Sequence, residues 1–194
     1  KVGDVVRTLL AEGGGTSASA ASEFGVEFFD GGEARMPSLR SLEGKKAPDI
    51  KTTSWLGDEQ KASDRHEKVT VLRFISPDLD VARRQALAWS KTARELTPQG
   101  VVFLGLCDSE TDPNASKEAL RRLRFPFPVA IDAPALKGAL LPLGATAAAY
   151  GVRGWPTTIV IDRSGRVRAA GIKDKHLKAV VEKLLAEQVQ KGPS

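Results

Sequence analysis

Apolar and polar residues follow two different spacings along this chain, and from Ala47 onward the two spacings alternate. Short apolar runs bounded by charged or turn residues are typical of strands buried in a sheet. Longer segments with apolar residues three and four positions apart are typical of helices that cover such a sheet. The predicted strands span 49–54, 60–62, 69–75, 101–107, 127–131, 157–162 and 166–172. The predicted helices span 79–96, 115–124 and 174–190, and a broken helix spans 135–150.

This order of elements predicts an α/β fold. Strands and helices that alternate, followed by a hairpin and a last helix, place a central mixed β-sheet between helices on both faces. The start of the first long helix is well marked, because Ser76 can cap it and Pro77 suits its first position. Asp78 and Asp80 carry the charge that the positive end of a helix dipole favours.

The N-terminal part of the chain has a different character. Residues 1–24 are predicted to form a short amphipathic helix and a flexible linker of small residues. Residues 25–43 form an N-terminal extension, in which the apolar residues of 26–29 suit an edge strand. The globular domain is predicted to span 44–191. The sequence starts at Lys1, which is expected either where a leader has been removed or where a longer chain has been cut.

Composition excludes several kinds of chemistry. The chain has 194 residues, 41% of them hydrophobic and 27% charged, which is the balance of a globular protein. No apolar run approaches the ~18–20 residues of a membrane-spanning helix. Cys107 is the only cysteine, which excludes an intrachain disulfide and a CxxC pair. The two histidines, His66 and His176, are far apart in sequence, so we expect neither a metal site nor a cofactor.

The charge distribution does not favour nucleic-acid binding. The chain carries 29 Lys and Arg against 24 Asp and Glu, a net charge of +5. The densest basic cluster is Arg121, Arg122 and Arg124, and elsewhere opposite charges alternate along the predicted helices. This distribution is typical of a solvated surface, with an acidic partner for the arginine cluster as the alternative. We therefore expect no nucleic-acid partner.

Three passages make the chain resemble the thioredoxin-like redoxins, the group that contains the AhpC/TSA proteins and the exported TlpA/ResA-type thiol–disulfide oxidoreductases. The first is Lys46-Ala-Pro-Asp-Ile50 with the predicted hairpin after it. The second is the apolar strand 69–74 with the helix and strand that follow. The third and most specific is Ala149-Tyr-Gly-Val-Arg-Gly-Trp-Pro-Thr-Thr-Ile-Val-Ile-Asp162. The resemblance covers residues 44–190 and implies a thioredoxin-like fold.

The resemblance also implies that the chemistry of this group is missing here. Its members carry a CxxC pair at the start of the helix after the first buried strand, where the helix N-terminus lowers a thiol pKa. Aligned on Phe74 and Arg83, this chain has Leu79-Asp80-Val81-Ala82 there, so both cysteines are replaced. The peroxiredoxin pattern fails as well, because it requires a cysteine where Arg84 stands.

The resemblance places Pro156 where the group has a cis-proline opposite the CxxC pair. The residue before that proline contacts bound polypeptide in active relatives. Here that residue is Trp155. Its large ring either fills the groove formed with Ser76, Pro77 and Asp78 or serves as an aromatic anchor for a partner.

Cys107 is the one remaining candidate for thiol chemistry. It ends the strand next to the one that ends at Ile75, so the topology places it at the sheet edge where ligands usually bind. Such a thiol suits either a one-cysteine nucleophile or a small buried side chain. The neighbouring Asp108 disfavours the thiolate, which supports the second interpretation.

The interpretation favoured by the sequence is a redox-silent thioredoxin-like protein that acts by binding another protein. It is expected to be periplasmic or otherwise extracytoplasmic in a bacterium, with a possible membrane tether through a removed N-terminal segment; a cytoplasmic location stays open. The alternative from another class is a redoxin-type oxidoreductase or peroxidase that uses Cys107 alone. A third possibility is a structural subunit in which residues 1–43 wrap a neighbour. The identity of the protein partner and the oligomeric state stay open.

Overall fold

Six strands form one mixed sheet in the computed structural model, which describes residues 22–76, 80–123, 125, 127–135 and 144–187. The spatial order of the strands is β1-β4-β3-β2-β5-β6. Strands β2, β3 and β4 run parallel, and each of the other three is antiparallel to its neighbour. The strands are β1 Thr52–Trp55, β2 Thr70–Phe74, β3 Val102–Cys107, β4 Val129–Asp132, β5 Thr157–Ile161 and β6 Val167–Ala170. The α-helices are α1 Pro37–Arg40, α2 Asp80–Leu96, α3 Pro113–Leu123, α4 Ala145–Ala149 and α5 Asp174–Ala186.

The predicted mixed sheet with flanking helices and an N-terminal arm is confirmed, and two predicted strands are wrong. The segment around 60–62 does not return alongside β1, because β1 pairs with β4 instead. A 3₁₀ turn, Ala62–Arg65, follows it. Val26–Phe28 is also a 3₁₀ turn, and only Phe29 bridges to Ile172. The broken helix is described from 144 onward, where it includes α4.

The sheet separates two layers of core side chains. Successive residues of a strand point to opposite faces. Val71 therefore joins the layer under α2, α3 and α5, whereas Leu72 joins the layer on the face of α4. The first layer also holds Trp89 and the second holds Tyr150, both almost fully buried. Burial on both faces is the reason that β2 and β5 are mostly apolar rather than alternating.

The segment 22–46, which includes the arm and the first residues of the predicted globular domain, closes the β6 edge of the sheet. The N–H of Gly44 donates to the carbonyl of Val167 at 2.8 Å, and the N–H of Val167 donates to the carbonyl of Lys45 at 2.9 Å. Farther along, Phe29 bridges to Ile172 and its ring is 1% exposed. Residues 22–46 thus supply both hydrogen bonds and apolar side chains to the domain.

A buried ion pair fixes this arm to the sheet. The side chains of Arg35 and Glu43 are 5% and 6% exposed, and two parallel hydrogen bonds of 2.7 and 3.1 Å join them. Arg35 also donates to the carbonyl of Ala170, and the Ala170 N–H donates to Glu43 at 2.9 Å. The guanidinium lies 3.7 Å from the centroid of the Phe29 ring. Bidentate pairing, backbone hydrogen bonds and stacking together compensate for removing both charges from water.

Candidate functional site

The candidate site lies where the parallel strands end. Phe74, the last residue of β2, is opposite Thr157, the first residue of β5. The segments 75–76 and 155–156 therefore leave the sheet side by side at its carboxyl edge. The N–H of Ile75 donates to the carbonyl of Leu106 at 2.9 Å, which fixes the end of β2 against β3. Ligands of open α/β sheets bind at this edge.

Trp155 is the dominant side chain at this edge. Its ring is half-buried and packs against the core layer on the α4 face. The peptide bond from Trp155 to the half-buried Pro156 is cis. The Thr157 hydroxyl donates to the carbonyl of Gly154 at 2.8 Å, which holds the turn in place. The indole N–H of Trp155 is buried, and among the described residues it finds no hydrogen-bond acceptor.

The other residues of the predicted groove are described only in part. Ser76 is half-buried and directly follows β2 and Ile75. Pro77, Asp78 and Leu79 lie outside the described residues. Helix α2 begins at Asp80, so Ala82 and Arg83 belong to its first turn. Ala82, the second position that the resemblance aligns with the CxxC pair, is thus in the first turn of α2.

Cys107 ends β3, as the sequence predicts, but its side chain belongs to the opposite face from Trp155. It is 1% exposed and packs in the core layer under α2, α3 and α5, together with Val71 and Ile75. A thiol there has no open path to a bulky reagent. Its surroundings are those of a small buried apolar side chain.

A buried charged cluster under α2 is missed by the sequence reasoning. Arg73 lies inside the predicted apolar strand and is 3% exposed. Its guanidinium stacks 3.7 Å from the centroid of the Trp89 ring and forms an ion pair with Asp174, the first residue of α5. The indole N–H of Trp89 donates to the same carboxylate at 2.8 Å. Asp174 therefore joins β2, α2 and α5.

Burial lowers the pKa of Arg73 to about 10, and the Asp174 carboxylate opposes that shift. The guanidinium thus stays charged at neutral pH. Its Nε atom is buried without a hydrogen-bond acceptor among the described residues. The sequence did contain a signal for this cluster, namely an arginine within an otherwise apolar central strand.

Within the described ranges, no three His, Cys, Asp or Glu side chains converge as metal ligands do. The arginines of the basic cluster behave as a solvated surface: Arg121 and Arg122 are exposed and pair with Glu118 on their own helix, and Arg124 lies outside the described residues. Among the residues that the structure describes, no helix has the length and apolar character needed to cross a bilayer.

Comparison with known proteins connects this geometry with one family. The profile of the AhpC/TSA family matches residues 43–170. A search of curated protein sequences finds no match for this chain.

Solved structures of thiol–disulfide proteins share the fold. A thiol-disulfide isomerase from Corynebacterium glutamicum is 26% identical over 73% of this chain and 98% of its own, with a TM-score of 0.62. A thioredoxin-like superfamily protein is 27% identical over 74% and 97%, with a TM-score of 0.63. A secreted disulfide oxidoreductase from Mycobacterium tuberculosis, homologous to E. coli DsbE, is 20% identical over 70% and 94%, with a TM-score of 0.51.

Proposed function

Because this chain belongs to the AhpC/TSA family and has a single cysteine, we propose that it is a redox-silent thioredoxin-like protein that acts by binding another protein. The observation that carries the proposal is the chemistry at the end of β2. Disulfide exchange in a CxxC protein needs one thiolate to attack and a second to resolve the mixed disulfide. No segment of this sequence supplies such a pair.

The burial of Cys107 supports the same proposal. An attacking thiol needs access and a neighbouring positive charge that lowers its pKa. The Cys107 side chain is 1% exposed and packs on the face opposite Trp155. A substrate seated beside Trp155 would therefore not reach the sulfur without crossing the sheet.

We place the binding surface at Trp155, Pro156 and Ser76. The three residues leave the carboxyl edge of the sheet together, with half-buried side chains. Trp155 offers a large apolar surface and a buried indole N–H that lacks an acceptor among the described residues. Tryptophans of this kind are frequent at the energetic centre of protein interfaces. A polypeptide carbonyl would satisfy the indole N–H.

Two assays test the absence of redox activity. In an insulin-reduction assay with dithiothreitol, we expect no turnover above that of buffer, for the native chain and for Cys107→Ser alike. A native titration with a bulky thiol reagent should leave Cys107 unlabelled, and denaturant should expose it. Turnover that disappears in Cys107→Ser would support the one-cysteine oxidoreductase instead. Turnover that survives the substitution would show chemistry elsewhere in the chain and overturn the proposal.

A matched pair of variants tests the binding surface. Trp155→Ala and Trp55→Ala each remove a half-buried tryptophan that packs against the same core layer. With the native chain and both variants immobilised in a lysate of the source organism, we expect a protein retained by the native chain and by Trp55→Ala to be lost from Trp155→Ala. Thermal unfolding of both variants checks that they are folded. Equal retention by all three chains would contradict this surface.

The location of the protein is a separate part of the proposal. The secreted mycobacterial oxidoreductase that shares this fold is the observation that motivates an extracytoplasmic site of action in a bacterium. Cell fractionation of the full-length protein, with a cytoplasmic marker enzyme as control, tests it. The structural-subunit alternative makes a different prediction: removing residues 1–21 should then dissociate a complex, which size-exclusion chromatography would detect.

A further inference from the structure

A second pocket lies at the other end of the sheet from Trp155. It has a volume of about 330 Å³ and opens between the segment 46–50, the 3₁₀ turn Ala62–Arg65 and the turn that joins β5 to β6. Thr70, the first residue of β2, lies opposite Ile161, the last residue of β5, and both line the pocket. The volume is near the lower limit of small-molecule sites, which span roughly 300–1,000 Å³.

Arg65 is the residue of this pocket whose situation most needs an explanation. Its side chain is half-buried, and burial lowers the pKa of its guanidinium. Within the described residues, no carboxylate, carbonyl or hydroxyl accepts a hydrogen bond from it. A guanidinium has five N–H donors in a planar fork, and the Arg65 nitrogens are not among the fully buried, unpaired polar atoms of the described residues, so they remain accessible to a ligand. The geometry of the fork matches a carboxylate that accepts two hydrogen bonds side by side.

Thr70 supplies a second donor on the same wall. The residue is only 2% exposed, it lines the pocket, and no described group accepts a hydrogen bond from its hydroxyl. The rest of the floor is apolar: Pro48, Ile50 and Ile161 line it together with the fully buried Tyr150. The Tyr150 hydroxyl already donates to the carbonyl of Pro48 at 2.8 Å and holds the floor together, whereas Thr70 and Arg65 are donors of the wall that have no acceptor among the described residues.

The charges around the pocket match one negative charge. Three cationic side chains line it against two carboxylates, which leaves an excess of one positive charge: Lys46, Arg65 and Lys68 face Asp49 and Asp162. A dianion such as inorganic phosphate would place a second charge beside the apolar floor without compensation.

We propose that this pocket binds a small organic monocarboxylate, with the carboxylate on Arg65 and Thr70 and the apolar body on Pro48, Ile50 and Ile161. The site is independent of the groove at Trp155, because it lies at the opposite end of β2 and β5. Pairing the guanidinium with a carboxylate satisfies its donors, and burying the apolar body adds the hydrophobic contribution that selects carboxylates over inorganic anions.

Isothermal titration of the full chain with sodium hexanoate tests the site. Hexanamide, which has the same apolar body without the charge, and inorganic phosphate, which has charge without the body, are the matched ligand controls. We expect saturable one-to-one binding of hexanoate. We expect hexanamide and phosphate each to bind at least about tenfold more weakly, since each loses one of the two contributions.

Three variants locate the binding. Arg65→Gln should weaken hexanoate binding by about ten- to a hundredfold, the range for hydrogen bonds to a charged group. Thr70→Val keeps the shape of the side chain and should weaken it a few-fold. Arg94→Gln makes the same charge change at an exposed position of α2, on the other face of the sheet, and should leave the affinity unchanged.

The outcomes that overturn the proposal are distinct from those that bear on Trp155. Hexanamide binding as tightly as hexanoate would show a purely apolar pocket, and phosphate binding as tightly would show a general anion site. An unchanged affinity in Arg65→Gln would place the hexanoate elsewhere. Thermal unfolding of each variant shows that it is folded. Trp155→Ala should bind hexanoate like the native chain, whichever way the test of the groove turns out.

Discussion

Arg35 and Arg65 are two arginines in opposite circumstances: Arg35 is buried with partners, and Arg65 is half-buried beside a pocket. Arg35 pairs with Glu43 in two parallel hydrogen bonds, donates to the Ala170 carbonyl and stacks on Phe29. Arg65 has no hydrogen-bond partner among the described residues and lines an open pocket. Arg35 lies before the segment that matches the family profile, and Arg65 lies within it.

The difference separates two uses of a buried charge. A charge whose partners are all supplied by the fold fixes two parts of the chain in one arrangement. A half-buried charge that lines a pocket without a hydrogen-bond partner among the described residues leaves its donors accessible, and a ligand can accept from them. Removing the partner should therefore be expensive at Arg35, and removing the arginine should be cheap at Arg65.

The largest effect is expected from Glu43→Gln. This change leaves the Arg35 guanidinium buried without a counter-charge, and breaking such a pair costs about 3–5 kcal/mol of unfolding free energy. Urea denaturation measures the loss, with Glu33→Gln on the exposed surface of the same arm as the control. Replacing both partners, as Arg35→Met with Glu43→Leu, should recover most of it. A loss under about 1 kcal/mol for Glu43→Gln would show that the ion pair between Arg35 and Glu43 contributes little to the stability of the protein.

Asp174→Asn should have an intermediate effect, because Arg73 keeps its stacking on Trp89 when the counter-charge is lost. We expect a loss of about 2 kcal/mol, the value for a hydrogen bond to a charged group. Urea denaturation again measures it, and Glu182→Gln on the exposed face of α5 is the control. A loss as large as that of Glu43→Gln would mean that stacking does not compensate for the missing carboxylate.

The surface cluster around Arg168 should show a small, pH-dependent effect. Burial acts to raise the pKa of Glu23, but hydrogen bonds from Lys183 and Arg168 outweigh it and hold the pKa below the usual value. A carboxyl group with a lowered folded-state pKa stabilises the protein above its unfolded pKa, and this stabilisation is lost as the pH falls through the folded pKa. Glu23→Gln should thus cost about 0.5–1 kcal/mol at pH 7, and the difference should close below about pH 4.

Urea denaturation of the native chain and of Glu23→Gln, measured at several pH values from 7 down to 3, tests this prediction. A difference that persists at pH 3 would assign the effect of Glu23→Gln to packing rather than to the ion pairs. High salt at pH 7 should also reduce the difference, since charges this close to water are screened.

The smallest effect on stability is expected from Arg65→Gln. No hydrogen bond to a described residue is lost, and a charge is removed from a half-buried position, so the free energy of unfolding should change by less than about 0.5 kcal/mol. Thermal unfolding without added carboxylate measures it. A loss above about 2 kcal/mol would reveal a structural partner for Arg65 and remove the contrast with Arg35.

The sequence predicts those strands and helices whose pattern of apolar residues lies within the segment itself. Strands β2, β3 and β5 are apolar runs with clear limits, and α2 and α5 have regular apolar spacing, so each is found within a few residues. The predicted strand at 60–62 fails because its neighbours decide its conformation: the partner of β1 is β4, some 75 residues farther along. The predicted edge strand at 26–29 is wrong for a similar reason, since only Phe29 of this segment pairs with the sheet.

The candidate sites depend even more on distant contacts. The family resemblance alone brings Trp155 and Ser76 to one edge, because motif positions carry the register of the sheet. Nothing in the local pattern shows that Arg73 meets Asp174 a hundred residues later, or that Arg35 meets Ala170. The pocket around Arg65 is still harder to predict. It is recognised by a hydrogen-bond donor without an acceptor, and such a donor is found only in the three-dimensional structure.

The arm along β6 has a consequence for how molecules of this protein meet one another. A bare edge strand offers a row of N–H and C=O groups that can extend the sheet into a second molecule, leading to domain swapping or aggregation. Here Gly44 and Lys45 occupy those groups on β6, and at the other edge the pairing of β1 slips between Thr52 and Ser54, which makes a flat extension difficult. A chain that began after Lys46 would lose Gly44 and Lys45 as well as Phe29 and Arg35, and the backbone groups of its β6 edge would then be open to pairing with a second molecule.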